Sequence, residues 1–204
     1  ELMVDLAEFT SSHQSTVVNA ALAHAQFETI HPFPDGNGRV GRALIQAMLR
    51  GGQLTRSVAV PVSAGLLHNT GEYFDALGAY RAGDAGPIVR SIVDASFAAV
   101  ANGRTLVADL ETVRERWRSR VTARRDSAVH RLVDVLLRQP VIDNRSAAAA
   151  LSVTGPNAQI AIDRLVDAGI LTQITGGRRN RIWQAKDVVR VLDEFAARAK
   201  RRRG

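Results

Sequence analysis

The stretch HPFPDGNGRVGR, residues 31–42, places a histidine, a carboxylate, a glycine-rich turn and two arginines next to one another. Gly36 and Gly38 lack a Cβ, so the chain can adopt left-handed dihedrals here and point successive backbone N–H groups at one spot. Such a concavity binds anions. The stretch therefore predicts a loop that holds the phosphates of a nucleotide.

The residues after this loop predict a helix that carries both arginines. Apolar residues recur with helical spacing at Val40, Ala43, Leu44, Ala47 and Met48. The helix is expected to begin at Gly38 or Arg39, and its N-terminus would direct free N–H groups and a partial positive charge toward an anion. Arg39 and Arg42 stand three residues apart, so they are expected to share a helix face and to clamp phosphate oxygens.

Two side chains before the helix are candidates for chemistry. Asp35 offers a hard carboxylate oxygen for Mg²⁺, because this ion is usually bound by one or two carboxylates together with the phosphates of the substrate. His31 is the candidate proton acceptor, since imidazole titrates near neutral pH. Either residue by itself is typical of an ordinary turn, and only the combination with the glycines and arginines indicates a site.

Residues 31–42 resemble the signature of the Fic (filamentation induced by cAMP) family, HPFx(D/E)GNGRxxR, and match it at every fixed position. The preceding run, residues 24–30, resembles the helix that leads into this signature. The resemblance implies a helical core that transfers AMP from ATP to a protein hydroxyl of Ser, Thr or Tyr and releases pyrophosphate. In that reaction His31 would be the base, Asp35 would hold Mg²⁺ on the ATP, and Phe33 would be a buried anchor of the loop.

The same resemblance assigns the phosphate contacts and the cofactors. Gly36, Asn37 and Gly38 would surround the α-phosphate, while Arg39 and Arg42 would hold the outer phosphates. ATP and Mg²⁺ are the expected cofactors. Two alternatives stay open: a Fic enzyme that uses another phosphate donor or removes AMP, and a DNA-binding regulator whose Fic pocket only senses a nucleotide.

Two elements of many family members have no counterpart in this sequence. An inhibitory helix with the pattern [S/T]xxxE[G/N] is not expected, because no glutamate of the chain follows a Ser or Thr by four residues. The β-hairpin flap that aligns the target is expected to be missing too, since it normally lies well upstream and few residues precede His31. The chain begins at Glu1 rather than at a methionine, which predicts a piece of a longer polypeptide.

Composition excludes several classes of protein. The 204 residues contain no cysteine, so disulfides and thiolate metal sites are excluded. No apolar run approaches the ~20 residues of a membrane span, and the N-terminus lacks the features of a signal peptide, so the predicted location is the cytoplasm. The net charge of +7 is uneven, with net −3 over residues 1–100 and net +10 over residues 101–204. The basic half predicts a second module.

The elements of that basic half follow from apolar spacing and from turn residues. Residues 103–125 predict a long amphipathic helix that closes the N-terminal bundle; its apolar positions are Leu106, Leu110, Val113, Trp117 and Val121. The elements expected beyond it are helices over 127–138, 145–151 and 156–168 and strands over 170–174 and 181–184. The predicted fold is mainly α, with a Fic-type helical bundle over residues 1–125 and a small α+β winged helix domain with a C-terminal helix over residues 126–204.

The order helix, helix, turn, helix and basic hairpin resembles a winged helix-turn-helix. Such a module commonly sets its third helix in the major groove of DNA and its hairpin against a phosphate backbone. The candidate base contacts are Asn157, Gln159 and Arg164, and the candidate phosphate contacts are Arg178, Arg179 and Arg181. Asp163 and Asp167 would repel phosphates unless they face away or pair with Arg164. The alternative is a module for protein docking or for homodimer formation.

Overall fold

The computed structural model of the chain describes residues 1–11, 16–56, 60–66, 70–122, 124, 127–177 and 180–200. Within these ranges the chain forms ten helices and one three-stranded antiparallel sheet. This confirms the prediction of a mainly α fold. It divides into two compact units: the first holds residues 1–103 and the C-terminal residues from Ala196, and the second holds residues 104–195. No helix of the described ranges is both long enough and apolar enough to cross a bilayer.

The first unit is built from helices. They are α1 (Leu2–Thr10), α2 (Thr16–Ile30), α3 (Asn37–Gly51), α4 (Val62–Leu66), α5 (Thr70–Arg81) and the first part of α6 (Gly86–Arg120). Buried Ala20, Ile45, Leu77, Ile88 and Ile92 join α2, α3, α5 and α6 in one core cluster. Because α2 packs directly on α3, the loop between them is held at both ends.

The buried side of α3 is not the one that the apolar spacing predicted. Gly41, Ile45 and Leu49 are buried, whereas Val40 is 42% exposed and Ala43 is exposed as well. A glycine contributes nothing to an apolar pattern, yet here Gly41 marks the face that meets α2. Ile45 and Leu49 are apolar and mark part of this face, whereas hydrophobicity does not show that Gly41 belongs to it.

Helix α4 approaches α6 closely at Gly65. A Cβ built on this glycine would lie 2.7 Å from the Cα of Ala95 and closer still to the carbonyl oxygen of Ala95. The neighbouring atoms belong to a helix backbone, which cannot turn aside as a side chain can. Only glycine fits this crossing without a shift of one helix.

Helix α6 includes most of the segment 103–125 that the sequence predicted as a helix, but it begins earlier, at Gly86, and ends at Arg120. Val113 and Trp117 are buried in the core of the second unit, so the expectation that this segment closes the N-terminal bundle is wrong. The Trp117 indole also donates a hydrogen bond to Asp187 at 2.9 Å. For this reason the division between the compact units falls after residue 103, earlier than the predicted boundary at residue 125.

The second unit combines helices with a small sheet. Besides the last part of α6, its elements are α7 (Ala128–Leu136), β1 (Val141–Asp143), α8 (Asn144–Leu151), α9 (Gly155–Asp167), β2 (Thr172–Gln173), β3 (Ile182–Gln184) and most of α10 (Lys186–Lys200). Strand β3 is central, and Trp183 stands opposite Ile142 of β1 and Gln173 of β2. The sequence predicted all of these elements except β1.

Local signals fix the ends of α8 and α9. At the start of α8 the Asp143 carboxylate accepts from the Ser146 N–H at 2.7 Å, and the Ser146 hydroxyl accepts from the Asp143 N–H at 3.0 Å. The bond from the Ser146 N–H to the carboxylate is the largest influence that holds the pKa of Asp143 below its usual value. Pro156 occupies the first turn of α9, and Gly169 follows that helix with a φ of 67°. The capping box and Pro156 therefore determine where α8 and α9 begin.

Candidate functional site

The loop of residues 31–36 joins α2 to α3 and begins with an unusual backbone. The His31 N–H donates to the carbonyl oxygen of Phe27 at 2.9 Å, and the φ of His31 is 50°. This left-handed conformation is uncommon for a residue with a Cβ and turns the chain sharply away from α2. The His31 side chain is left exposed, so it can meet a group that arrives from solvent.

Asn37 fastens the loop from inside. Its side-chain oxygen accepts from the Phe33 N–H at 3.0 Å, and its side-chain nitrogen donates to the Phe33 carbonyl oxygen at 2.6 Å. The residue is 3% exposed, so the amide faces the loop rather than solvent. Because the side-chain amide of Asn37 is engaged with Phe33, the predicted contact of Asn37 with an α-phosphate would come from its backbone N–H.

The first turn of α3 offers donors to an anion. Gly36 precedes the helix with a φ of 85°, and its carbonyl oxygen accepts from the N–H groups of Arg39 and Val40 at 3.0 Å each. The N–H groups of Asn37 and Gly38 stand at the helix start, where no intrahelical acceptor exists. A phosphate at this end would meet those N–H groups and the positive end of the helix dipole.

The two arginines that are expected to clamp phosphates have different surroundings. The Arg39 guanidinium pairs with the Asp35 carboxylate at 3.2 Å, and both side chains are largely exposed. An exposed pair of this kind contributes ~0–1 kcal/mol, so either partner can turn to a ligand at little cost. Arg42 is half-buried and lies across Gly38, with Nη1 3.1 Å from the position that a Gly38 Cβ would take.

Phe33 is not the buried anchor that the sequence led us to expect. It is 45% exposed, and its ring centroid lies 6.2 Å from that of Phe27. Phe27 is 3% exposed and packs with Leu6 and Ala23, so it already fills the core position beneath the loop. Phe33 therefore packs on the outer side of Phe27. The hydrogen bonds of the Asn37 amide to the Phe33 backbone stabilise the loop instead.

Asp35 is the candidate metal ligand of this loop. Among the described residues no group of three or more His, Cys, Asp or Glu is placed to hold a metal ion. The Asp35 carboxylate is 92% exposed, and one of its oxygens accepts from the Gly36 N–H at 2.6 Å. A single exposed carboxylate fits Mg²⁺ that arrives with a nucleotide, whose phosphates and waters complete the coordination shell.

A buried polar cluster lies on α2 and α5, and no chemistry was predicted for its residues from the sequence. His24 and Tyr73 share a hydrogen bond of 2.8 Å between Nε2 and the phenol oxygen. Burial lowers the pKa of His24 to about 4, so the ring is neutral at pH 7, and burial raises the pKa of Tyr73 to about 12. Glu28 lies beside them. A glutamate within the mostly apolar α2 was the one signal that could have drawn attention to this cluster.

Both this loop and its supporting helices fall in a stretch with recognisable relatives. Residues 1–49 match the Fic/DOC family model. A probable protein adenylyltransferase of Aquifex aeolicus is 61% identical over 33 residues, which cover 16% of this chain and 10% of that protein. The protein adenylyltransferase Fic of Aedes aegypti is 40% identical over 75 residues, which cover 37% of this chain and 14% of that protein.

Two further matches cover more of the chain at lower identity. A protein adenylyltransferase of Caenorhabditis elegans is 30% identical over 105 residues, which cover 49% of this chain and 19% of that protein. A crystal structure of a Fic family protein from Desulfovibrio desulfuricans covers 90% of this chain and 54% of that protein at 21% identity, with a TM-score of 0.46. The chain thus spans less than a fifth of the length of these curated relatives.

A second cleft lies beyond the Fic/DOC segment, within the second unit. It encloses about 590 Å³ between the N-terminal ends of α8 and α9 and the residues leading into β3. Arg145, Gln159 and Arg181 line it, and the Arg181 guanidinium lies 5.0 Å from the centre of the Trp183 ring. The Asp143 carboxylate also lines the cleft, so two arginines and two helix N-termini stand against one acidic side chain and leave the cleft net positive.

The predicted DNA contacts are only partly gathered at this cleft. Gln159 and Arg181 line it, whereas Asn157 and Arg164 are exposed elsewhere on α9; Arg178 and Arg179 lie outside the described residues. The Gln159 amide is engaged within the protein: it accepts from Asn144 at 3.2 Å and donates to Asp163 at 2.7 Å. Asp163 therefore pairs with Gln159 and not with Arg164.

Proposed function

We propose that this chain belongs to a cytoplasmic protein adenylyltransferase, which transfers AMP from ATP to the hydroxyl of a Ser, Thr or Tyr side chain. One observation carries the proposal: the exposed His31 imidazole, the helix-start N–H groups of α3 and Arg42 converge on one loop that Asn37 holds in shape. The names of the relatives that match the Fic/DOC segment support it.

In this proposal each part of the loop has one task. The oxygen of the acceptor hydroxyl attacks the α-phosphorus of ATP while His31 accepts the hydroxyl proton. The bond from the α-phosphorus to the oxygen that bridges to the β-phosphate breaks, and pyrophosphate leaves with its electron pair. The N–H groups of Asn37 and Gly38 stabilise charge on the α-phosphate oxygens, and Arg39 and Arg42 hold the departing phosphates. Mg²⁺, held by Asp35, would neutralise phosphate charge.

The test is transfer of label from ATP to protein. The chain is incubated with Mg²⁺ and a mixture of candidate acceptor proteins, using ATP labelled in the α-phosphate or in the γ-phosphate. We expect protein-bound label from α-labelled ATP alone, lost when Mg²⁺ is chelated, with pyrophosphate released. Label from γ-labelled ATP would contradict AMP transfer. Label from another α-labelled nucleotide but not from ATP would indicate a different donor, and ATP binding without any transfer would favour a nucleotide sensor.

We further propose that the second unit is a winged helix-turn-helix that binds double-stranded DNA. The order α7, β1, α8, α9, β2, β3 and the positive cleft at the starts of α8 and α9 favour this reading. Asn157 and Arg164, exposed on α9, would face base edges, and Arg181 would face phosphates together with Arg178 and Arg179.

The salt dependence of binding tests this second proposal. Replacing Arg181 or Arg145 with alanine is expected to weaken binding to duplex DNA and to reduce the slope of log K against log salt by about 1 for each lost phosphate contact. Arg131→Ala is the matched control, because Arg131 is exposed on α7 and does not line the cleft. Unchanged slopes for both cleft variants would instead favour a protein-docking module.

A further inference from the structure

We propose that Glu28 is a positioning residue of the nucleotide site, whose carboxylate keeps Arg42 against the first turn of α3. This inference rests on the proposed transfer of AMP from ATP, in which Arg42 holds phosphates. Glu28 would act through the arginine and would make no contact of its own with the nucleotide.

Two glycines of α3 locate the Glu28 carboxylate. A Cβ built on Gly41 would lie 2.7 Å from Glu28 Oε1 and 2.9 Å from His24 Nδ1. A Cβ built on Gly38 would lie 3.9 Å from the same Glu28 oxygen. The carboxylate therefore enters from α2 and lies along the side of α3 that passes from Gly38 to Gly41, one turn inside the helix start.

Arg42 lies against the same place. Its Nη1 is 3.1 Å from the Cβ position of Gly38, so this nitrogen and Glu28 Oε1 are no more than 7.0 Å apart. Burial raises the pKa of Glu28, and the positive charge of Arg42 is one of the influences that oppose this rise. The arginine thus has a carboxylate within 7.0 Å of Nη1, although the two side chains form no direct ion pair, and it lies across the first turn of α3.

The Glu28 carboxylate has an unsatisfied buried oxygen. Oε1 is buried, and among the described residues it has no hydrogen-bond partner. Burial raises the pKa of Glu28, while the charges of His31, Arg42 and Arg81 oppose that rise. Of these, Arg81 is already directed at the Glu28 backbone, since it donates to the carbonyl oxygen at 3.4 Å. A buried acceptor without a partner is costly unless a nearby cation compensates for it.

Arg42 is the cation through which the negative charge of Glu28 would affect nucleotide binding. An arginine side chain loses rotamer freedom when it binds a phosphate, and that loss weakens binding. A fixed negative charge behind the guanidinium restricts Arg42 before the nucleotide arrives. The site is then partly organised in advance, which favours nucleotide binding.

The experiment compares ATP binding by the whole chain in a double-mutant cycle. Dissociation constants for ATP with Mg²⁺ are measured by calorimetry for wild type, Glu28→Gln, Arg42→Ala and the double variant. We expect Glu28→Gln to weaken ATP binding by about threefold to tenfold, because the amide keeps the shape and loses the charge. In the Arg42→Ala background the same change is expected to have no further effect, and in the labelling assay it should raise KM for ATP with little change in kcat.

Several results would overturn this role for Glu28. They are ATP binding by Glu28→Gln that equals or exceeds that of wild type, and a loss that simply adds to that of Arg42→Ala. Glu8→Gln, on the exposed side of α1, is the matched control. If Glu28→Gln fails to fold, Glu28→Asp is measured in its place, since it keeps the charge but withdraws it from Arg42, and the same coupling is expected. If wild type binds no ATP, the proposed function fails first and this role fails with it.

Discussion

Replacement of His31 by alanine is expected to slow AMP transfer at least about a hundredfold while ATP affinity changes less than about twofold. The imidazole is exposed at the loop, and the bond that anchors the residue uses its backbone N–H. Loss of the side chain therefore removes the proton acceptor and leaves the phosphate contacts in place. The measurement is the initial rate of protein labelling from α-labelled ATP, with ATP binding measured on the same preparation.

A second variant separates chemistry from backbone strain in this test. His31 has a left-handed φ of 50°, and asparagine adopts that region more readily than alanine. His31→Asn should keep the loop shape and lack the basic nitrogen, so it is expected to be as inactive as His31→Ala. If either variant kept more than about a tenth of the wild-type rate, His31 would not be the general base.

Replacement of Gly65 by alanine is expected to lower the free energy of unfolding of the first unit by about 3 kcal/mol. The new Cβ would overlap the backbone of α6 at Ala95, so α4 and α6 would have to separate. The same substitution at Gly78 of α5 has open space around it. Gly78→Ala should stabilise the helix by about 0.5–1 kcal/mol, since alanine loses less backbone entropy than glycine.

Denaturant unfolding can follow each unit separately. Trp117 and Trp183 belong to the second unit, so tryptophan fluorescence reports on that unit, whereas far-ultraviolet circular dichroism reports on helices of both. Gly65→Ala should shift the dichroism transition more than the fluorescence transition. A stability within about 0.5 kcal/mol of wild type would show that α4 and α6 can part without loss, contrary to the close approach at Gly65.

The sequence predicted the backbone conformation of the loop better than the positions of its side chains. The left-handed glycine at Gly36 and a helix start close to Gly38 both follow from local rules, and the structure confirms them. The exposure of Phe33 and the inward turn of the Asn37 amide do not follow from such rules. They depend on Phe27, which occupies the core below the loop, and a pattern along the chain does not show which of two phenylalanines takes that place.

The fold shows the same limit at larger distances. Turn and cap residues such as Pro156 and Gly169 placed α9 to within a residue, because these signals act within one helix turn. The predicted helix over residues 103–125 is the last part of the longer helix α6, and its Trp117 was assigned to the wrong core, because the packing partner of an apolar face lies far away in the sequence. Strand β1 was missed because three residues are too few to show an alternating pattern.

Three hydrogen bonds of the loop of residues 31–36 join residues that are close in the sequence. His31 to Phe27, Phe33 to Asn37 and Asp35 to Arg39 are each joined across four residues of sequence. Contacts of such low contact order cost little loop-closure entropy, so they can form early and do not wait for the distant parts of the chain to assemble. The bonds that set the backbone of the loop thus lie within residues 27–39, whereas the place of the Phe33 ring also depends on the core around Phe27.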